Sequence, residues 1–175
     1  MTGGLAEFEY AYTHGPLDTL SELTGGYATG NCRRAVQDFM YKRHGRFFAP
    51  EDIYIPQSYH SLGTFVISET SPFSLEPLRE GDVVYARKLL SKSGRLLIAD
   101  REQYDSNDEW LFSLHNAVYL GVLTDETKKL LPKSATYTEG VPYVWHATVV
   151  VGGTVLWDWD TFARYYVPVS AKRFI

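Results

Sequence analysis

The sequence predicts an α+β fold, N-terminal helices packed on a C-terminal antiparallel β-sheet, and three observations carry that reading. Helical periodicity is confined to the first quarter of the chain, strand-like runs dominate from Gly81 onward, and 13 Tyr, 9 Phe and 4 Trp suit pleated surfaces.

The first element is PLDTLSELT at 16–24, where Pro16 suits a first helical position, Leu17, Leu20 and Leu23 share a face, and Gly25-Gly26 ends the run. The second helix is more strongly written. Cys32, Ala35, Val36, Phe39 and Met40 recur at i, i+3, i+4, i+7 and i+8, with Arg33, Arg34, Gln37, Asp38 and Lys42 on the outer face. Asn31 is the expected N-cap and Gly45 the expected stop. Residues 46–80, rich in Pro, Ser and aromatics, are expected to wrap the core irregularly.

Strands are expected at DVVYARK (82–88), RLLIA (95–99), LHNAVYLGV (114–122), VWHATVVV (144–151) and TVLWDW (154–159), the last two joined by a Gly152-Gly153 turn. A short helix, DETKKLL at 125–131, is inserted among them and stopped by Pro132. A length of 175 residues fits one domain, 1–175, with a core that needs neither disulfide nor metal.

Charge and composition exclude several classes of function. A net charge of −4 and a pI near 5.7 offer no basic face for nucleic acid. No stretch approaches the roughly eighteen apolar residues of a spanning helix, and the N-terminus has neither a basic nor an apolar signal region, so no membrane span and a cytoplasmic location are the expectations. HExxH, CxxC, GxxxxGK[ST] and a strand-following GxGxxG are all missing, so no metal and no cofactor are expected. The acidic run DREQYDSNDE at 100–109 lacks the Gly and final Glu of a calcium loop and reads as a solvated turn.

The single cysteine, Cys32, sits at a helix start, where unpaired amides and the macrodipole favour a thiolate. It also lies on the apolar stripe, so an inert core thiol is the competing reading. Five histidines are available as a base. His14 and His60 fall in expected loops and His44 at a helix end. His115 and His146 instead lie within apolar strands, where an imidazole needs a partner or a cleft.

The order of these elements resembles the NlpC/P60 superfamily of papain-like cysteine hydrolases. TGNCRRAVQDFMYKRHG (29–45) looks like the family's nucleophile helix, LREGDVVYARK (78–88) like its Gly-Asp strand, LHNAVYLGV like its histidine strand, and His146-Ala147 like the next strand's orienting residue. The motif-bearing part spans about 29–160. The resemblance implies a papain-like NlpC/P60-type fold with Cys32 as nucleophile, His115 as base and His146 orienting it. It also implies a peptide or peptidoglycan-like substrate, with Tyr27, Asn31 and Tyr119 as candidate substrate contacts. The family usually has Asp before the cysteine and Ser-Gly after it, where this chain has Asn31 and Arg33-Arg34. The expected chemistry is attack by a Cys32 thiolate, held by His115, on an amide carbonyl. Two alternatives stay open: acyl transfer on the same fold, and a noncatalytic module whose aromatic groove binds glycan or peptide.

Overall fold

The computed structural model describes residue 20 and residues 31–53, 62–88, 114–148 and 150–175. Its architecture is α+β. A six-stranded antiparallel sheet runs in the order β1-β6-β2-β3-β4-β5. The elements in chain order are α1 (Asn31–His44), α2 (Pro50–Ile53), β1 (Thr64–Ile67), β2 (Val83–Lys88), β3 (His115–Val122), α3 (Asp125–Leu130), β4 (Pro142–Thr148), β5 (Gly153–Asp158), α4 (Trp159–Tyr165) and β6 (Tyr166–Arg173).

The sheet is covered on both faces, and alternation along each strand sorts the side chains between them. On one face Val83 and Tyr85 of β2, Val118 and Leu120 of β3 and Trp145 and Ala147 of β4 meet Ala35, Val36, Phe39 and Met40 of α1. On the other, Val84, Ala86, Ala117, Tyr119 and Val144 meet Phe162 of α4 and Tyr166. The apolar stripe of α1 is buried as its spacing predicts, and Gly45 ends the helix at φ 66°, a conformation that favours glycine. The helix already includes Asn31, the residue expected to cap it.

The outer face of α1 needs a correction: Gln37 and Asp38 are buried. The chain after α1 folds back over them. Gln37 Nε2 donates to the Phe48 carbonyl at 2.8 Å, and Lys42 Nζ lies 3.2 Å from Asp38. At the end of α1, Arg43 donates to Glu80 (2.9 Å) and Glu126 (2.8 Å), tying the helix to the entry of β2 and to α3.

The segment 46–80 is more ordered than expected, since it contributes α2 and the edge strand β1, which pairs with β6. Helix α3 matches its sequence reading. Thr124 caps its first turn, and Leu131 is extended (φ −71°, ψ 144°), the conformation Pro132 imposes on the residue before it. The β4–β5 turn differs. Strand β4 stops at Thr148, Gly153 already pairs with Thr148, and only Gly152, at φ 70°, belongs to the turn. The predicted helix at 16–24, apart from the buried Leu20, lies outside the described residues, as do the strand at 95–99 and the acidic run at 100–109.

The sequence reading did not anticipate α4 and β6. Asp158 starts α4 by accepting from the Thr161 amide at 2.8 Å. Strand β6 then inserts between β1 and β2, with a register shift opposite Pro168, which has no amide to give to the ladder.

The Gly81-Asp82 pair ahead of β2 also gains a structural reason. Gly81 takes φ 93°, and the buried Asp82 carboxylate accepts from Arg173 Nε (2.8 Å) and Nη2 (2.7 Å) and from the Arg79 amide (2.8 Å). This clamps the end of β6 to the start of β2. Asp82→Ala is expected to lower unfolding free energy by about 2–3 kcal/mol, below the cost of breaking a fully buried pair because Arg173 can turn to solvent. Urea unfolding of the two proteins checks it, and equal midpoints would show that the clamp adds nothing.

Candidate active site

Strands β3 and β4 bring the two strand histidines together. His115 opens β3, His146 lies in β4, and Val118 pairs with Trp145 in the ladder between them. His115 Nε2 and His146 Nδ1 are 2.7 Å apart, a hydrogen bond between two buried imidazoles. Trp145 points to the α1 face, away from His146, as strand alternation requires.

The pair sits in an aromatic enclosure built by the unanticipated α4 and β6 together with β5. Tyr166 stacks on His115 with centroids 4.1 Å apart, and its hydroxyl is 2.6 Å from Thr148 Oγ1. Phe162 and Trp157 pack edge-on against His146 at 5.3 and 4.8 Å. Tyr119 lies on the same face, nearly buried, and packs edge-on against Trp159.

Burial sets the electrostatics. Desolvation, with a smaller contribution from the charge of Lys88, pushes His115 down to about 3. Desolvation and then the neighbouring His115 push His146 well below the usual range. Both imidazoles are neutral at physiological pH, so one N–H is shared between Nε2 and Nδ1. When His115 Nε2–H donates, His115 Nδ1 keeps its lone pair and is a base. In the opposite arrangement it carries the proton and is not. His146 Nε2 is buried without a hydrogen-bond partner.

Cys32 is the second residue of α1, at the helix start as expected, and reaches the same end of β3. Its Sγ lies 3.9 Å from Asn116 Oδ1, one position past His115. Among the described residues no hydrogen bond joins Cys32 to His115. Asn116 alternates with His115, and α1 covers the face on which Asn116 lies, whereas the rings around His115 belong to the α4 side. Cys32 is partly exposed. Burial pushes the thiol up, against opposing pulls from the Asn116 backbone and the Arg33 charge. Burial penalises the charged forms of both the thiol and the imidazoles, so it favours a neutral Cys32 and a neutral histidine pair over the expected thiolate held by His115.

Asn31 is the first residue of α1, next to Cys32, and Tyr27 lies outside the described residues. Among the described residues, no three His, Cys, Asp or Glu side chains converge as a metal site would require, and no helix is long and apolar enough to cross a membrane. Asn116, Tyr166, Phe162 and Trp157 are the site residues that sequence reasoning missed. Asn116 had one readable signal, an amide in a strand otherwise apolar on that face. No family model, curated protein or solved structure matches this chain.

Proposed function

We propose that this chain is a papain-like thiol amidohydrolase of NlpC/P60 type, acting on an amide bond of a peptide or peptidoglycan-like substrate. The observation that carries the reading is the 2.7 Å bond between His115 and His146, beside the position where the helix-start Cys32 meets β3. An imidazole oriented by a second polar group and a thiol at a helix N-terminus are the parts such chemistry needs. The order of the sequence motifs supports the same assignment.

The resting neutrality of the pair makes His115 a general base rather than half of an ion pair. In acylation the S–H proton passes to His115, the sulfur bonds to the carbonyl carbon, and the amine leaves with the proton that His115 returns. Water then gives a proton to His115 and its oxygen to the acyl carbon, and the thiol re-forms. The Cys32 amide at the start of α1 is a donor for the oxyanion. The sulfur and His115 are not hydrogen-bonded at rest; their approach at the start of β3, with Tyr166 and the His146 bond holding the ring, is expected on substrate binding because catalytic hydrogen bonds often tighten only in the complex.

Intact-mass analysis after mixing with an activated aryl ester of a capped dipeptide tests this. Acylation confined to Cys32, fast in the wild type and lost in His115→Ala, is the expected result. No adduct, or equal adduct in both proteins, would sink the proposal and leave the noncatalytic binding module, which the contact of the thiol with Asn116 favours. A competing amine that captures the acyl group would mark the enzyme as an acyltransferase.

A further inference from the structure

Asn116 is fully buried, and its two polar atoms have different fates. Oδ1 faces the Cys32 sulfur at 3.9 Å, whereas Nδ2 is enclosed with no hydrogen-bond partner. A carboxamide with a buried, unused donor is costly relative to a satisfied one, so the strand tolerates a polar group that packing alone does not explain. Because both atoms belong to one planar amide, the orphan donor is a single rotation from the atom that meets the sulfur. The terminal torsion of Asn is broad and roughly two-fold, so the exchange needs no backbone movement.

We infer that Asn116 is the positioning partner of the Cys32 sulfur in both of its protonation states, accepting from S–H through Oδ1 and, after rotation, donating Nδ2–H to the thiolate. This rests on the thiol being the reactive group of the proposed function. A thiol leaving its proton to His115 develops negative charge in a desolvated place, where one N–H donor counts for more than in water. Among the described residues the charge acting on the sulfur is that of Arg33, and the Asn116 backbone also favours the thiolate, while burial opposes it. Asn116 supplies the donor on the sheet side of the sulfur.

The sign of one measurement decides between this role and a passive one. An amide that only accepts from S–H stabilises the neutral thiol, so deleting it lowers the thiol pKa. An amide that donates to the thiolate has the opposite effect. The pH dependence of iodoacetamide alkylation at Cys32 is compared between the wild type, Asn116→Leu, which keeps the shape, and Asn116→Ser, which keeps a small polar side chain.

The expected outcome is a midpoint raised in both variants, by about one pH unit in Asn116→Leu, seen as alkylation about tenfold slower at fixed pH. An unchanged or lowered midpoint overturns the inference. Should either variant fail to fold, the side-chain amide of Asn116 is followed by 15N NMR in the wild type. Titration of that signal with the Cys32 midpoint supports the role, and an amide blind to the thiol's titration rejects it. These readouts do not require turnover, so they separate failure of this inference from failure of the hydrolase reading.

Discussion

Acidification from pH 6.5 to 4.5 is expected to destabilise the folded protein by several kcal/mol, with the buried imidazole pair supplying most of the effect. In the unfolded chain each histidine takes up a proton as pH falls through about 6.5. In the folded protein His115 does so only at about 3, and His146 is held well below its ordinary value. The unfolded state therefore binds more protons throughout this window, and stability falls as pH falls, by about 1.4 kcal/mol per pH unit for each imidazole kept neutral. His115 alone over two units gives an upper figure of about 3 kcal/mol, and His146 adds to it in the same direction.

His44 is also shifted down, by burial and by Arg43, but it is exposed at the end of α1 and its part is minor. Urea midpoints at pH 7, 5.5 and 4.5 measure the slope. His146→Phe, which keeps a ring among Trp157, Phe162 and Tyr166, should flatten it by the share of one group. A wild-type protein whose midpoint does not move across this range would mean that the histidines are not enclosed as described.

Much of the fold was readable because the responsible residues are periodic. The stripe Ala35, Val36, Phe39 and Met40 admits one helical face, and Val83 to Ala86 and Ala117 to Leu120 form apolar runs that a sheet covered on both sides buries. Helix α3 was legible through local chemistry, its Thr124 cap and Pro132 stop. The last sixteen residues were not. Strand β6 buries Ser170 and Lys172 and carries Pro168, so its pattern imitates a surface loop, and only its insertion between β1 and β2 explains the burial. Gln37 and Asp38 misled in the same way, since the segment that covers them is distant from any helical periodicity.

At the site, the strand histidines could be named from the sequence because imidazoles stand out among Val, Tyr and Trp. Their contact depends on the register of β3 against β4, which no local pattern encodes. Which of His115 and Asn116 meets Cys32 depends on the face that α1 covers, a single step along the strand. A one-residue difference of this kind sets an amide rather than an imidazole beside the sulfur.

The difference between the two histidines gives the other large effect. His115→Ala removes the proposed base and is expected to lower kcat for amide hydrolysis by about 10²–10⁴-fold, the range for a general base. His146→Ala leaves a base in place but removes the acceptor that, when His115 donates through Nε2, keeps a lone pair on His115 Nδ1. Its loss in kcat should be smaller, with KM unchanged, since neither nitrogen of His146 touches substrate in this mechanism. Phe162 and Tyr166 still confine the His115 ring, so orientation is only partly lost. Steady-state kinetics on a single amide substrate, with circular dichroism melts to show that both variants fold, makes the comparison. A His115→Ala protein that retains wild-type kcat removes the histidine from the mechanism. A His146→Ala protein as impaired as His115→Ala would mean that the two imidazoles act as one unit, with the proton shared across the 2.7 Å bond throughout the reaction.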